Sequence, residues 1–192
     1  MDRTDIINYY LSVRPVPTFY LEIGVRDPTA NFDHIVATSK DGVDSDTKCK
    51  CNYKMTSDKF FEKNIIKYDV IFVDGDHFFE QGYKDVVNSL LSLRSDGIVI
   101  MHDCNPPTEM HQINTNGPWT GTVWKAFVKL RMERSDLKMF VIDVDYGVGV
   151  VDPFGKQQTF LCTENIYNYS VFAKHRKEAL NLISEHEWIK VR

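Results

Sequence analysis

The stretch from Tyr68 to Pro107 constrains this chain most. An apolar run, Val70–Val73, ends in Asp74-Gly75-Asp76-His77, and a second, Ile98–Met101, ends in His102-Asp103-Cys104-Asn105-Pro106. Short runs rich in Ile and Val, bounded by turn or polar residues, are how strands buried on both faces of a parallel sheet read. Between them Tyr83, Val86, Val87, Leu90 and Leu91 recur at helical spacing, which predicts a crossover helix. Acids and imidazoles then stand at the carboxyl ends of two neighbouring parallel strands, where open α/β sheets bind ligands.

The rest of the chain extends the same alternation. We expect a short helix over Asp5–Leu11, stopped by Pro15 and Pro17, and a strand over Thr18–Ile23. A short helix over Asn31–Thr38 and a strand over Asp41–Asp44 follow. Another helix starts near Thr56, with Ser57 or Asp58 as its cap. A loop rich in Pro, Asn and Gly leads to a helix over Thr120–Arg134. Strands over Lys138–Val144 and Gly147–Val151 form a hairpin, and a helix over Tyr169–Ser184 closes the chain. Alternating strands and helices predict an α/β sheet. We read one domain over residues 1–192. It carries a helical cap at 1–17, a site loop at 105–120 and a helical extension at 165–192.

With 192 residues, 43% of them hydrophobic, the chain can bury a sizeable core. Its net charge of −4 gives no global field to attract nucleic acid or an anionic membrane. Without an apolar run near membrane-spanning length, it reads as soluble and cytoplasmic. Four cysteines make no disulfide framework, and Cys49-Lys50-Cys51 has no second pair or histidine nearby to complete a zinc site.

The first turn points to a ligand. Leu21-Glu22-Ile23-Gly24 ends a strand with an acid and a glycine, but Val25, Arg26, Asp27 and Pro28 follow and no second glycine does. A dinucleotide site would want further glycines to seat a pyrophosphate. Here Glu22 suits an amino group, and Asp44, some twenty residues on, suits a ribose diol. A nucleoside with an amine and no pyrophosphate describes S-adenosylmethionine.

These residues resemble a class I S-adenosylmethionine-dependent methyltransferase, in particular a small bacterial group. The motifs that carry the resemblance stand at Tyr20–Arg26, Gly42–Asp44, Thr56–Phe61, Asp69–His77 and His102–Pro107, with further similarity at Trp119–Lys125 and Asp145–Gly149. The resemblance implies a Rossmann-like fold, a mostly parallel seven-stranded sheet with an antiparallel C-terminal hairpin and helices on both faces. It implies Glu22 and Gly24 at the methionine end, Asp44 at the ribose, Ser57 and Asp58 near the adenine, and Asp74 and Asp76 beside the cofactor. The absent glycines imply a first turn of different shape.

The chain is also similar to catechol and caffeoyl-coenzyme A O-methyltransferases. In these an Asp after the fourth strand and an Asp-Asn pair after the fifth hold a divalent cation, and a lysine three residues past the first Asp is the base. By that likeness Asp74, Asp103 and Asn105 would hold the metal, with Cys104 standing where the amide is usual, and His77 would replace the lysine. Oxygen ligands suit Mg²⁺, whereas imidazole at His77 or His102 favours Mn²⁺, Fe²⁺ or Zn²⁺. A metal-free site with His77 or His102 as base, or Asp74 and Asp103 as mere caps, stays open. His77, His102 and Asp103 are the expected catalytic groups. His102 and Asp103, as neighbours, should point in opposite directions. Trp119, Trp124 and Lys125 are expected at the acceptor, a small polar molecule such as a sugar or a polyketide-like hydroxyl compound, with core packing the equal alternative for Trp124, whose helix continues through Phe127, Val128 and Leu130. A homodimer is compatible with all this. A non-catalytic binding protein on the same fold and a metal-dependent hydrolase are the alternatives.

Overall fold

A computed structural model describes residues 1–192, apart from the side chain of Val191. The strands are β1 (Phe19–Ile23), β2 (Ser39–Asp44), β3 (Tyr53–Lys54), β4 (Tyr68–Val73), β5 (Leu93–Met101), β6 (Lys138–Ile142), β7 (Val148–Asp152) and β8 (Leu182–Ile183). They form one sheet in the order β3-β2-β1-β4-β5-β7-β6-β8. All pairings are parallel except those of β7 with β5 and β6. The helices are α1 (Arg3–Ser12), α2 (Ser57–Phe61), α3 (Phe79–Leu91), α4 (Trp124–Glu133), α5 (Tyr169–Leu180) and α6 (Glu185–Val191). Among the described residues no helix is long and apolar enough to cross a membrane.

Period-two alternation sends side chains of the central strands to two cores. Leu21, Ile23, Ile71, Val73, Val99 and Met101 face a layer that includes Phe127 and Leu130 of α4 and Phe172 of α5. Tyr20, Val70, Phe72, Ile98 and Ile100 face Ile6, Ile7 and Leu11 of α1 and Trp188 of α6. β4 is buried along its whole length, which accounts for its unbroken apolar run.

Four local expectations need correction. The segment expected as a helix at Asn31–Thr38 makes only a short 3₁₀ turn, Phe32–His34, after another at Pro28–Ala30. Asn31 spends its side chain on Glu22 and Tyr20, and Ile35 is already extended toward β2. The sheet has eight strands rather than seven. The closing helix stops at Leu180, because Asn181 adopts a left-handed conformation and donates to the Met139 carbonyl, after which β8 pairs with β6. A separate helix then begins at a Ser184–Glu187 capping box. Finally, Thr56, not Ser57 or Asp58, caps α2, its hydroxyl accepting from the Lys59 amide.

Candidate active site

The carboxyl ends of β4 and β5 converge as expected. Asp74 leaves β4 and His77 follows in the turn before α3, while His102 and Asp103 end β5. His77 Nε2 lies 3.5 Å from Asp74 Oδ1, and His77 Nδ1 lies 3.2 Å from Asp103 Oδ2. His102 Nδ1 stands 3.3 Å from Asp74 Oδ1 and 3.4 Å from Asp103 Oδ1. His102 and Asp103 therefore converge instead of pointing apart. The reason is the backbone: Asp103 sits at φ 57°, and this left-handed step ends the strand alternation.

Charge binds the cluster. Burial opposes ionisation of Asp74, but the two imidazoles overcome it and hold the carboxyl well below the usual range. Burial likewise disfavours a charged His102, yet Asp74, Asp103 and Asp145 raise it well above an ordinary histidine. His77 is raised in the same sense by Asp74 and Asp103, against burial.

His77 is the accessible imidazole, 23% exposed against 7% for His102. Trp119 stacks on it with centroids 5.0 Å apart and an interplanar angle of 14°. The loop after β5 locks this turn: Thr122 donates its amide to the His77 carbonyl (2.7 Å), and its hydroxyl accepts from the Phe79 amide (2.9 Å). Gly121, at φ 62°, leaves no room for a side chain, since a Cβ there would lie 2.1 Å from the His77 carbonyl oxygen. Exposed Phe78 packs edge-on against the same Trp119 ring, with centroids 5.8 Å apart.

Several expected residues lie elsewhere. The Asn105 amide group donates to Asp143 Oδ1 (2.8 Å) and its oxygen accepts from Arg176, so both ends of the amide are engaged outside the Asp74–His102–Asp103 group. Cys104 is buried with its thiol pushed up by burial. Trp124 is fully buried, its ring 4.0 Å from that of Phe172, and belongs to the core. Lys125 lies over the Trp124 ring at 5.5 Å rather than at the cluster. Asp76 is exposed on the turn.

On the other half of the edge, Gly24 at φ 90° presses its backbone onto the β4 turn; a Cβ there would come within 2.2 Å of the Asp74 carbonyl oxygen. The first turn thus touches the Asp74 turn directly. Asp44 accepts from the amides of Arg26 and Asp46, each at 2.7 Å, and keeps further lone pairs on both oxygens. Glu22, expected at the methionine end, is almost fully buried. It is buried beneath the turn, accepting from Tyr20 Oη (2.5 Å) and Asn31 Nδ2 (2.8 Å), and burial pushes it up to about 7. Ser57 and Asp58 are gathered by one amide, Gln81 Nε2, at 3.1 Å each. The same nitrogen, with two hydrogens to share among three oxygens, also lies 3.0 Å from buried Asp85, a carboxyl that burial raises to about 6.

Gln81, Asp85, Arg3 and Asp145 were not anticipated as site residues. Gln81 and Asp85 stand four apart on α3, a spacing that could have suggested a shared face. Asp145 Oδ2 lies 3.4 Å from His102 Nε2, and Arg3 Nη1 donates to Asp145 at 3.0 Å.

No family model and no curated protein matches the chain. Solved structures do. The O-methyltransferase TomG from Streptomyces achromogenes, in complex with SAM, is 12% identical with a TM-score of 0.56, the match covering 79% of this chain and 78% of that one. The O-methyltransferase from Bacillus cereus, in complex with SAH, is 11% identical with a TM-score of 0.51, covering 79% and 82%. The MycE methyltransferase of mycinamycin biosynthesis, in complex with Mg, SAH and mycinamycin VI, is 12% identical with a TM-score of 0.53, covering 83% of this chain and 51% of that one. This chain thus spans about half the length of MycE. Identities this low speak to architecture: the chain has the Rossmann-like methyltransferase fold, enlarged here by an eighth strand.

Proposed function

We propose that this chain transfers the methyl group of S-adenosylmethionine to a hydroxyl oxygen of a small acceptor. One observation carries the reading: the Gly24 turn rests on the backbone of Asp74, so the end of β1 adjoins the Asp74–His77–His102–Asp103 cluster. The fold shared with the three methyltransferases above supports it.

Asp44 is suited to the ribose diol, because its oxygens accept and no cation pairs with it. Acids at Asp27 and Asp44, together with a first turn followed by a 3₁₀ segment instead of a long helix, disfavour a pyrophosphate. Bound there, the cofactor supplies an already activated methyl group, leaving the chain to align the acceptor and manage its proton.

His77 is the proton acceptor in this reading. It is the imidazole an acceptor can reach, whereas His102 is enclosed by three carboxylates. Trp119 keeps the His77 ring in plane and offers an aromatic wall to the acceptor. Asp74, His102 and Asp103 each offer a ligand atom, all within 4.8 Å of one another, and fit a divalent cation such as Mg²⁺ or Mn²⁺. When bound, that ion would lower the pKa of an acceptor hydroxyl.

The test is transfer of labelled methyl from S-adenosylmethionine to a panel of sugars and phenolic or macrocyclic alcohols, with and without chelator. Label on oxygen, diminished by chelation, is expected. Binding of the cofactor without turnover of any acceptor would favour a non-catalytic role, and failure to bind it would overturn the reading.

A further inference from the structure

The face of the sheet covered by α1 and α6 holds a cleft of about 570 Å³. Asp96 and Ile98 of β5, Lys138 and Phe140 of β6, and Val150 and Asp152 of β7 make its floor. These are alternate positions of each strand, so one face of the sheet presents them all. The cleft lies toward the opposite end of the strands from the Asp74–His102 cluster. Five residue steps, about 16 Å of strand, separate Asp96 from Met101, where β5 ends beside His102. Along α1, Arg3 reaches the cluster, whereas Tyr9 and Tyr10 and the following Arg14 line the cleft.

The wall on the helix side is aromatic. Tyr9 and Trp188 meet edge to face with centroids 5.2 Å apart, and Tyr9 meets Tyr10 in the same manner at 5.4 Å. Two donors in this wall lack an acceptor. The Trp188 indole N–H and the Arg14 Nε–H are buried, and neither has a hydrogen-bond partner among the described residues. Trp188 is 1% exposed, so solvent does not satisfy its indole. Asp96 Oδ2 stands 4.0 Å from Arg14 Nε, beyond hydrogen-bonding distance. Both donors surround the Tyr10 hydroxyl: burial pushes it up to about 12, and Trp188 and Arg14 oppose that shift. A buried donor left without a partner is destabilising, and a fitting acceptor relieves it.

Charge narrows the choice of acceptor. Arg14, Lys138 and Arg192 bring three positive charges to the lining against two negative ones at Asp96 and Asp152. Asp152 already accepts from the Phe154 amide at 2.8 Å, and the Arg192 guanidinium lies over the Trp188 ring at 5.0 Å. Clefts of this size, largely apolar with a few convergent polar groups, are where proteins hold small molecules. A neutral ligand leaves the excess of cations unanswered, and a small inorganic anion leaves the aromatic wall bare.

We propose that this cleft binds an aromatic carboxylate, its ring among Tyr9, Tyr10 and Phe140 and its carboxylate accepting from the Trp188 indole and the Arg14 guanidinium. Such charge-assisted bonds are stronger than those a neutral acceptor forms. The site is separate from the methyl-transfer site, and the proposal does not rest on that reading.

The test follows the indole N–H resonances of the three tryptophans in the ¹⁵N-labelled full chain. The chain is titrated with 2-naphthoate, with 2-naphthalenemethanol and with acetate. Trp188→Phe, which keeps an aromatic ring and removes the donor, identifies the Trp188 signal. 2-Naphthoate is expected to shift that signal saturably, and the alcohol and acetate should each bind at least about tenfold more weakly. Arg14→Gln should weaken 2-naphthoate by about the same factor. It lies at the rim of the cleft and remains informative if Trp188→Phe fails to fold. Equal affinity for the alcohol or for acetate would overturn the proposal, as would unchanged affinity in a folded Arg14→Gln variant. So would a response confined to Trp119 or Trp124, or no saturable response at all.

Discussion

At the carboxyl ends of β1 and β2 the strand-end acid holds only backbone: Asp44 accepts from two amides, and among the described residues no ion pair forms on it. At the ends of β4 and β5 the acids hold side chains instead. Asp74 and Asp103 each face His77 and His102, and Asp145 closes the group with Arg3. The same structural device, an acid at a strand end, thus serves two purposes. Where the carboxylate has spare lone pairs and no counter-charge, it can take hydroxyls from a ligand. Where acids and imidazoles interlock, the local chemistry is that of protons and cations.

The largest effect should come from the interlocked half. His77→Ala is expected to lower kcat by about 10²–10⁴, the usual range for loss of a general base, with S-adenosylmethionine affinity nearly unchanged. His102→Ala should also reduce the rate, but through loss of Mn²⁺ binding. Equal losses of cofactor affinity in both variants would dissolve the distinction between the halves.

The two tryptophans sharpen it further. Trp124→Ala removes a fully buried side chain from the core and should destabilise the fold by about 3–5 kcal/mol. Trp119→Ala should leave chemical denaturation nearly unaltered while raising the acceptor KM, because that ring lies on His77 at the site mouth. A large stability loss at Trp119 would make it a structural residue and remove it from the acceptor wall.

Glu22 gives a pH signature to the β1–β2 half. Burial pushes its carboxyl from an ordinary 4.5 up to about 7, so between these values the folded chain holds a proton that the unfolded chain has released. The folded state binds more protons there, and stability must fall as pH rises through that window. The full contribution is present below the lower value and gone above the upper, a span of roughly 3 kcal/mol. Glu22→Gln should flatten that part of the stability profile. A slope identical to wild type would mean Glu22 is ionised in the fold.

Much of this layout was legible in the chain because it follows from local rules. Apolar four-residue runs ending in Asp74 and in His102-Asp103 identify buried parallel strands and their ligand-binding ends without any knowledge of neighbours. Residues that act through distant contacts were not legible. Arg3 and Asp145 meet across 142 positions and close on His102 from α1 and from the β6–β7 turn. Nothing in the sequence marks Asn105 as Arg176's partner, so it read as a metal ligand. Trp124 and Trp119 look alike in a loop-to-helix stretch, and the packing of α4 against α5 decides which one is core.

The claim that the edge of β1 and β2 receives the cofactor is the centre of this account, and calorimetry of S-adenosylmethionine against wild type and Asp44→Ala tests it most directly. A charge-assisted hydrogen bond is worth about 1.5–3 kcal/mol, so losing those to the ribose diol should weaken binding at least tenfold. The melting transition of the ligand-free variant should stay close to that of wild type. Equal affinities in a folded Asp44→Ala variant, or no binding by wild type, would contradict the assignment.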